Sequence, residues 1–121
     1  MVDDQPDIRR LVRMTLDIGN YDVYEASTGD MALEMVADVM PQLVLMDIMM
    51  PGRIDGLDAC KAIRADASMA KVSVVMLTAR GQQGDVESGS LAGADGYLVK
   101  PFSPLQLLDV VTGLIGPVGP G

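Results

Sequence analysis

Three nearly continuous apolar runs, at residues 43–46, 72–77 and 97–99, alternate with stretches of helical periodicity, and this constrains the fold more than any other feature. A strand that is apolar at every position has no face for water, so helices must cover it on both sides, as in parallel sheets built from βαβ units. Residues 21–25 alternate in polarity and read as a further strand. Between the strands, Ile8, Leu11, Val12 and Leu16 share one helical face, as do Ala32, Leu33, Val36 and Val39, and then Leu57, Cys60 and Ile63. In the last helix Ser103 suits the N-cap, Pro104 the first helical position and Gln106 the capping box, with Leu105, Leu108, Val111 and Ile115 as the apolar stripe. Residues 82–92 form the weakest candidate helix, because Gly84 and Gly89 each cost about 1 kcal/mol relative to alanine. The expectation is one doubly wound α/β domain over residues 1–115, followed by a Pro/Gly-rich tail or linker start at 116–121.

Charge and composition then narrow the function. A net charge of −8 repels a phosphate backbone, so direct binding to nucleic acid is not expected of this chain. No apolar run approaches the roughly 18 residues of a membrane span, and no basic segment followed by an apolar one points to secretion. The single cysteine, Cys60, sits in a helical apolar pattern and reads as a buried thiol, which fits a reducing cytoplasm. There is no histidine, which removes Ser/His/Asp triads, imidazole metal ligands and phosphohistidine formation on this chain. Carboxylate, hydroxyl and lysine remain.

Those groups fall at the ends of the apolar runs, where open parallel sheets bind their ligands. Asp3 and Asp4 follow Met1 and Val2, Asp47 follows 43–46, Thr78 follows 72–77, and Lys100 follows 97–99. Singly, each has a plainer role: a solvated acid, a turn cap, a loop hydroxyl, a snorkelling lysine. Jointly, three carboxylates repel one another unless a cation sits among them, and an all-oxygen set suits a hard ion such as Mg²⁺. A carboxylate can attack phosphorus to give an acyl phosphate when cations neutralise the phosphoryl oxygens, and Mg²⁺, Lys100 and Thr78 suit that task.

The motifs Val-Asp-Asp at 2–4, Leu-Met-Asp-Ile-Met-Met-Pro-Gly at 45–52, Asp-Gly-Leu at 55–57, Leu-Thr-Ala at 77–79, Gly-Ala-Asp-Gly-Tyr at 93–97 and Lys-Pro-Phe at 100–102 together resemble the receiver domains of two-component response regulators, of the chemotaxis-regulator kind. The resemblance implies a flavodoxin-like five-stranded sheet of order 2-1-3-4-5 with five helices. It also implies a phosphorylation-dependent switch that takes its phosphoryl group from a phosphohistidine of a sensor histidine kinase or histidine phosphotransfer protein. Asp47 would be the phosphoacceptor, and Asp3, Asp4, Asp47 and the Met49 carbonyl the ligands of Mg²⁺, or of Mn²⁺ in its place. Thr78 and Lys100 would contact the phosphoryl group, Tyr97 would be the rotating aromatic, and Lys100-Pro101 the cis peptide. Chemistry would be limited to self-phosphorylation and autodephosphorylation, and a downstream protein, an effector domain or a dimer mate would read the face made by residues 80–115.

Two departures stand out. The loop after Asp47, Met-Pro-Gly-Arg-Ile-Asp-Gly, is one residue longer than the family's usual pattern. Only Met1 and Val2 precede the acid pair, where the family has a whole central strand, so Met1 is expected to be an internal methionine of a longer strand. Neighbouring backbone would otherwise be unpaired, with low stability or strand exchange between chains as the outcome. Three other readings compete. A haloacid-dehalogenase-like phosphatase needs a second acid two residues after its nucleophile, where this chain has Met49. A flavodoxin-like nucleotide binder needs stacking aromatics, which make up only 3% of the chain. A pseudo-receiver that only binds partners is disfavoured by the intact Asp, Thr and Lys set.

Overall fold

Residues 1–3, 5–19, 21–48, 54–79 and 93–116 are described by a computed structural model. The three apolar runs are strands: β1 (Leu43–Asp47), β2 (Ser73–Ala79) and β3 (Gly96–Lys100), paired in parallel in the order β1-β2-β3. Asp47 lies opposite Leu77 and Thr78 opposite Val99, so the registers bring the carboxyl ends of the strands level. Four α-helices are described: α1 (Pro6–Ile18), α2 (Gly29–Val39), α3 (Gly56–Ala65) and α4 (Pro104–Ile115).

The pleat sends alternate side chains to opposite faces. Val44, Met46, Val74 and Met76 pack with Val36 of α2 and Ile63 of α3, whereas Leu45, Val75 and Leu77 pack with Val12 of α1 and Leu107 and Val111 of α4. Each fully buried side chain of this size contributes about 1.5–3 kcal/mol, so the two helical layers hold the strand ends rigidly.

Local signals set the helix ends. Thr28 caps α2 by accepting from the Met31 amide, and Met40 ends it in the left-handed region at φ 51°. At α3, Asp55 and Asp58 form a reciprocal capping box, and Ser103 with Gln106 forms the one expected at α4. Of the expected stripe on α4, Val111 is buried and Leu108 and Ile115 pack against the core, but Leu105 is 68% exposed and Leu107 is fully buried instead. This helix is apolar on several sides, so periodicity alone leaves its rotation open, and docking against α1 decides it.

The expected five-strand order appears in outline. Val2 makes isolated parallel bridges to Ala26 on one side and Met46 on the other, which puts it between the second segment and β1. Residues 21–25, expected as a strand, carry no strand hydrogen-bond pattern. A strand needs a partner along its length, and the bridge described here reaches this segment only at Ala26. The helix expected over 82–92 lies outside the described residues.

Candidate functional site

The site forms where β1, β2, β3 and the segment after Val2 end together. Asp47 and Lys100 are the last residues of β1 and β3, and Thr78 is the penultimate residue of β2. The Lys100 ammonium donates to Asp3 Oδ2 at 2.7 Å, Asp47 Oδ2 at 3.1 Å and Gln5 Oε1 at 3.3 Å. Asp3 is fully buried, and Asp47 and Thr78 nearly so. Two carboxylates therefore share one ammonium away from bulk water, where such hydrogen bonds are strong and an unpaired charge is expensive.

Burial works to lower the Lys100 pKa, but the hydrogen bonds and charges of Asp3 and Asp47 outweigh it and hold the ammonium above its ordinary value. The Lys100–Pro101 peptide is cis.

Backbone contacts fix the acids. Asp3 donates its amide to the Ala26 carbonyl, accepts from the Gln5 amide on Oδ1 at 2.8 Å, and accepts from Arg9 Nη1 on its own carbonyl at 2.7 Å. Asp47 donates its amide to the Val2 carbonyl, and the next amide, Ile48, reaches Leu77 O in β2. Gly56 closes the site from the α3 side: its amide donates to Ile48 O at 3.1 Å, and a Cβ there would overlap the Asp47 carbonyl oxygen.

Asp3, Asp47, Thr78 and Lys100 thus meet at one edge, as their positions in the sequence predict. Asp4 and Met49 lie outside the described residues, and among the described residues no group of three metal-ligating side chains occurs. Tyr97 is half-buried at the margin of the α2/α3 layer, on the same sheet face as Thr78 by strand alternation. Gln5, Arg9 and Gly56 escape a reading of strand ends. Gln5 touches the acid pair in sequence, Arg9 lies one helical turn further on, and Gly56 belongs to a motif whose tight packing only the fold reveals. Cys60 is fully buried, and burial pushes its thiol pKa up. No helix among the described residues is long and apolar enough to cross a membrane.

Comparison with known proteins agrees with this geometry. The family model described as the response regulator receiver domain matches residues 1–112. The chain is 41% identical over 115 residues to the transcriptional regulatory protein ResD of Bacillus subtilis, covering 95% of this chain and 46% of that protein. It is 37% identical to the DNA-binding dual master transcriptional regulator RpaA of Synechocystis, with 95% and 47% covered. The chain spans about half the length of these curated relatives. Among solved structures, the receiver domain of NtrX from Brucella abortus and the chemotaxis protein CheY4 of Vibrio cholerae each superpose with a TM-score of 0.87, at 32% identity and 94% coverage of both chains.

Proposed function

Because this chain belongs to the response regulator receiver family, and so is a signalling module of two-component systems, we propose that it is a phosphorylation switch whose acceptor is Asp47. The observation that carries the proposal is the single Lys100 ammonium held between Asp47 and the buried Asp3. An Asp47 carboxylate oxygen attacks phosphorus of a phosphohistidine on a sensor kinase or phosphotransfer protein. The P–N bond breaks, and the imidazole leaves with the electron pair. Lys100 is already positioned to follow the charge from the carboxylate to the phosphoryl oxygens, and the Thr78 hydroxyl is available as a donor to them.

Two carboxylates sharing one ammonium leave an excess of negative charge in an all-oxygen setting, which suits a hard divalent cation. Asp3, Asp4, Asp47 and the Met49 carbonyl would hold Mg²⁺, or Mn²⁺ in its place, and the ion would neutralise the incoming phosphoryl group. Output follows if Thr78 moves toward the phosphate and Tyr97, on the same sheet face, turns inward. The readers would be a downstream protein or effector domain on the face of residues 80–115. RpaA is a DNA-binding regulator by name, and an output of that kind would come from a domain other than this receiver. The setting of a sensor kinase partner is the cytoplasm.

Acetyl phosphate with Mg²⁺ should add one phosphoryl group by intact mass, and Asp47→Asn should abolish it. Equal modification of the substituted protein would exclude Asp47 as the acceptor, and no modification of either protein would favour a module that only binds partners.

A further inference from the structure

Arg9 stands where helix electrostatics would not put it. It lies at the N-terminal end of α1, the positive end of the helix dipole, whereas the last turn of α1 carries no basic residue. Its guanidinium turns back over the helix start, with Nη1 donating to the Asp3 carbonyl at 2.7 Å and Nε 3.5 Å from Glu25 Oε1. Arg13, one turn further on, holds the other oxygen of Glu25 at 2.7 Å. The tie between α1 and residue 25 is therefore already made by Arg13, and the tight bond of Arg9 is the one to Asp3.

That bond completes the fixing of Asp3. With its amide on the Ala26 carbonyl and its own carbonyl on Arg9, neither backbone dihedral of Asp3 can turn without breaking a bond, so the direction of its side chain is set. Oδ1 accepts from the Gln5 amide, and Oδ2 is left to face Lys100 and the rest of the site. Position and charge act here in opposite senses. A guanidinium close to a buried acid opposes an incoming cation, but the Glu25 carboxylate beside the same guanidinium offsets that repulsion, so what Arg9 adds is position. Arginine suits the task, because its planar fork reaches a carbonyl with one nitrogen and a carboxylate with another, where lysine has a single nitrogen.

We propose that Arg9 is a positioning residue of the phosphorylation site: through the Asp3 carbonyl it holds that acid for a divalent cation, and Glu25 offsets the charge that would otherwise oppose the cation. The proposal rests on the reading of Asp3 as a ligand of Mg²⁺.

The test is calorimetric titration of Mg²⁺ into the unsubstituted chain, Arg9→Ala, Arg9→Lys and Glu25→Gln, with the rate of modification by acetyl phosphate measured at saturating Mg²⁺. Loss of a group that orients a metal ligand costs about 10–100-fold in affinity, and Arg9→Ala should lie near the tenfold end, because its bond is to the main chain. At saturating Mg²⁺ its rate should stay within about twofold of the unsubstituted one, since only cation binding is impaired. Arg9→Lys, which keeps the charge and one possible bond, should show an intermediate loss, and it carries the test if the alanine chain does not fold. Glu25→Gln leaves the bond to Asp3 in place and uncovers the charge of Arg9, so its weaker binding should fade as salt is raised. Exchange of the Gln5 amide, whose acceptor is Asp3 Oδ1, should quicken in Arg9→Ala and not in Glu25→Gln. Unchanged Mg²⁺ affinity in an Arg9 variant that folds, whatever its urea midpoint, would make the residue structural only and overturn the proposal. Tighter Mg²⁺ binding would overturn it in favour of a charge effect. An unsubstituted chain that binds no Mg²⁺ would remove the reading of Asp3 itself, and the proposal with it.

Discussion

Gly56 rests on the carbonyl of Asp47 so closely that the first atom of any side chain there would overlap it, and the Ile48 Cα would lie 2.9 Å from the same atom. The obstruction is backbone on both counts, so no rotamer change relieves it. Gly56→Ala is therefore expected to destabilise the domain by about 1–3 kcal/mol, read as a lower urea midpoint at unchanged m. It should also slow phosphorylation from acetyl phosphate by displacing Asp47. An unchanged midpoint would mean that α3 can shift without cost.

Replacing Lys100 by Met should leave Asp3 and Asp47 facing each other as buried, like-charged groups. A loss of about 3–5 kcal/mol at neutral pH is expected, read as a lower urea midpoint. In the unsubstituted protein the Lys100 pKa is raised on folding, so its contribution is fully present below the ordinary lysine value and is lost as pH rises through the folded value. Thermal melts between pH 9 and 12 should show a decline that the Met variant lacks.

The Met1 ammonium has its pKa lowered from 8.0 to about 6 by burial, against the opposing pull of Glu25. The unfolded chain then binds the extra proton between these values, so stability should rise with pH from 6 to 8, by at most about 1.4 kcal/mol per unit. The chain has no histidine to mask the effect. N-terminal acetylation keeps the N–H that bonds Tyr24 and adds a carbonyl facing Leu45. It should flatten the pH dependence and raise the melting temperature, and a dependence that survives acetylation would assign it to another group.

Thr78→Ala should slow phosphorylation of Asp47 without abolishing it, and should disconnect the modified aspartate from Tyr97. Hydrogen exchange at residues 93–100 is expected to change on phosphorylation of the unsubstituted protein and to stay within error in the variant. Identical changes in both would remove Thr78 from the coupling.

The strand ends were legible because each apolar run stops at its first polar side chain, and a polar group buried at a strand end must find a partner there; Asp47, Thr78 and Lys100 follow from this rule. The rotation of α4 was not legible, since Leu105, Leu107 and Leu108 offer competing stripes that only the α1 interface distinguishes. Residues 21–25 alternate as a strand should, yet whether they pair depends on a partner far away in sequence. Arg9 and Gly56 act through backbone approaches, a carbonyl of Asp3 in one case and of Asp47 in the other, which residue type alone does not encode.

The two bridges made by Val2 also set how the molecule breathes. Residues 5–40 join the three-stranded half through helix packing, through side-chain bonds from Tyr21 to the Gly116 carbonyl and from Lys100 to Gln5, and through a short ladder in which Val2 bonds Leu45 and Asp47 while Met1 and Asp3 bond Ala26. Such an attachment opens as a cooperative unit before the rest of the domain unfolds. Amides of α2 and of residues 24–26 should then exchange at a common, lower free energy than those of β1 and β2. Asp3 rides on the opening half and Asp47 on the closed one, so each opening pulls the two carboxylates apart and leaves Lys100 to choose between them.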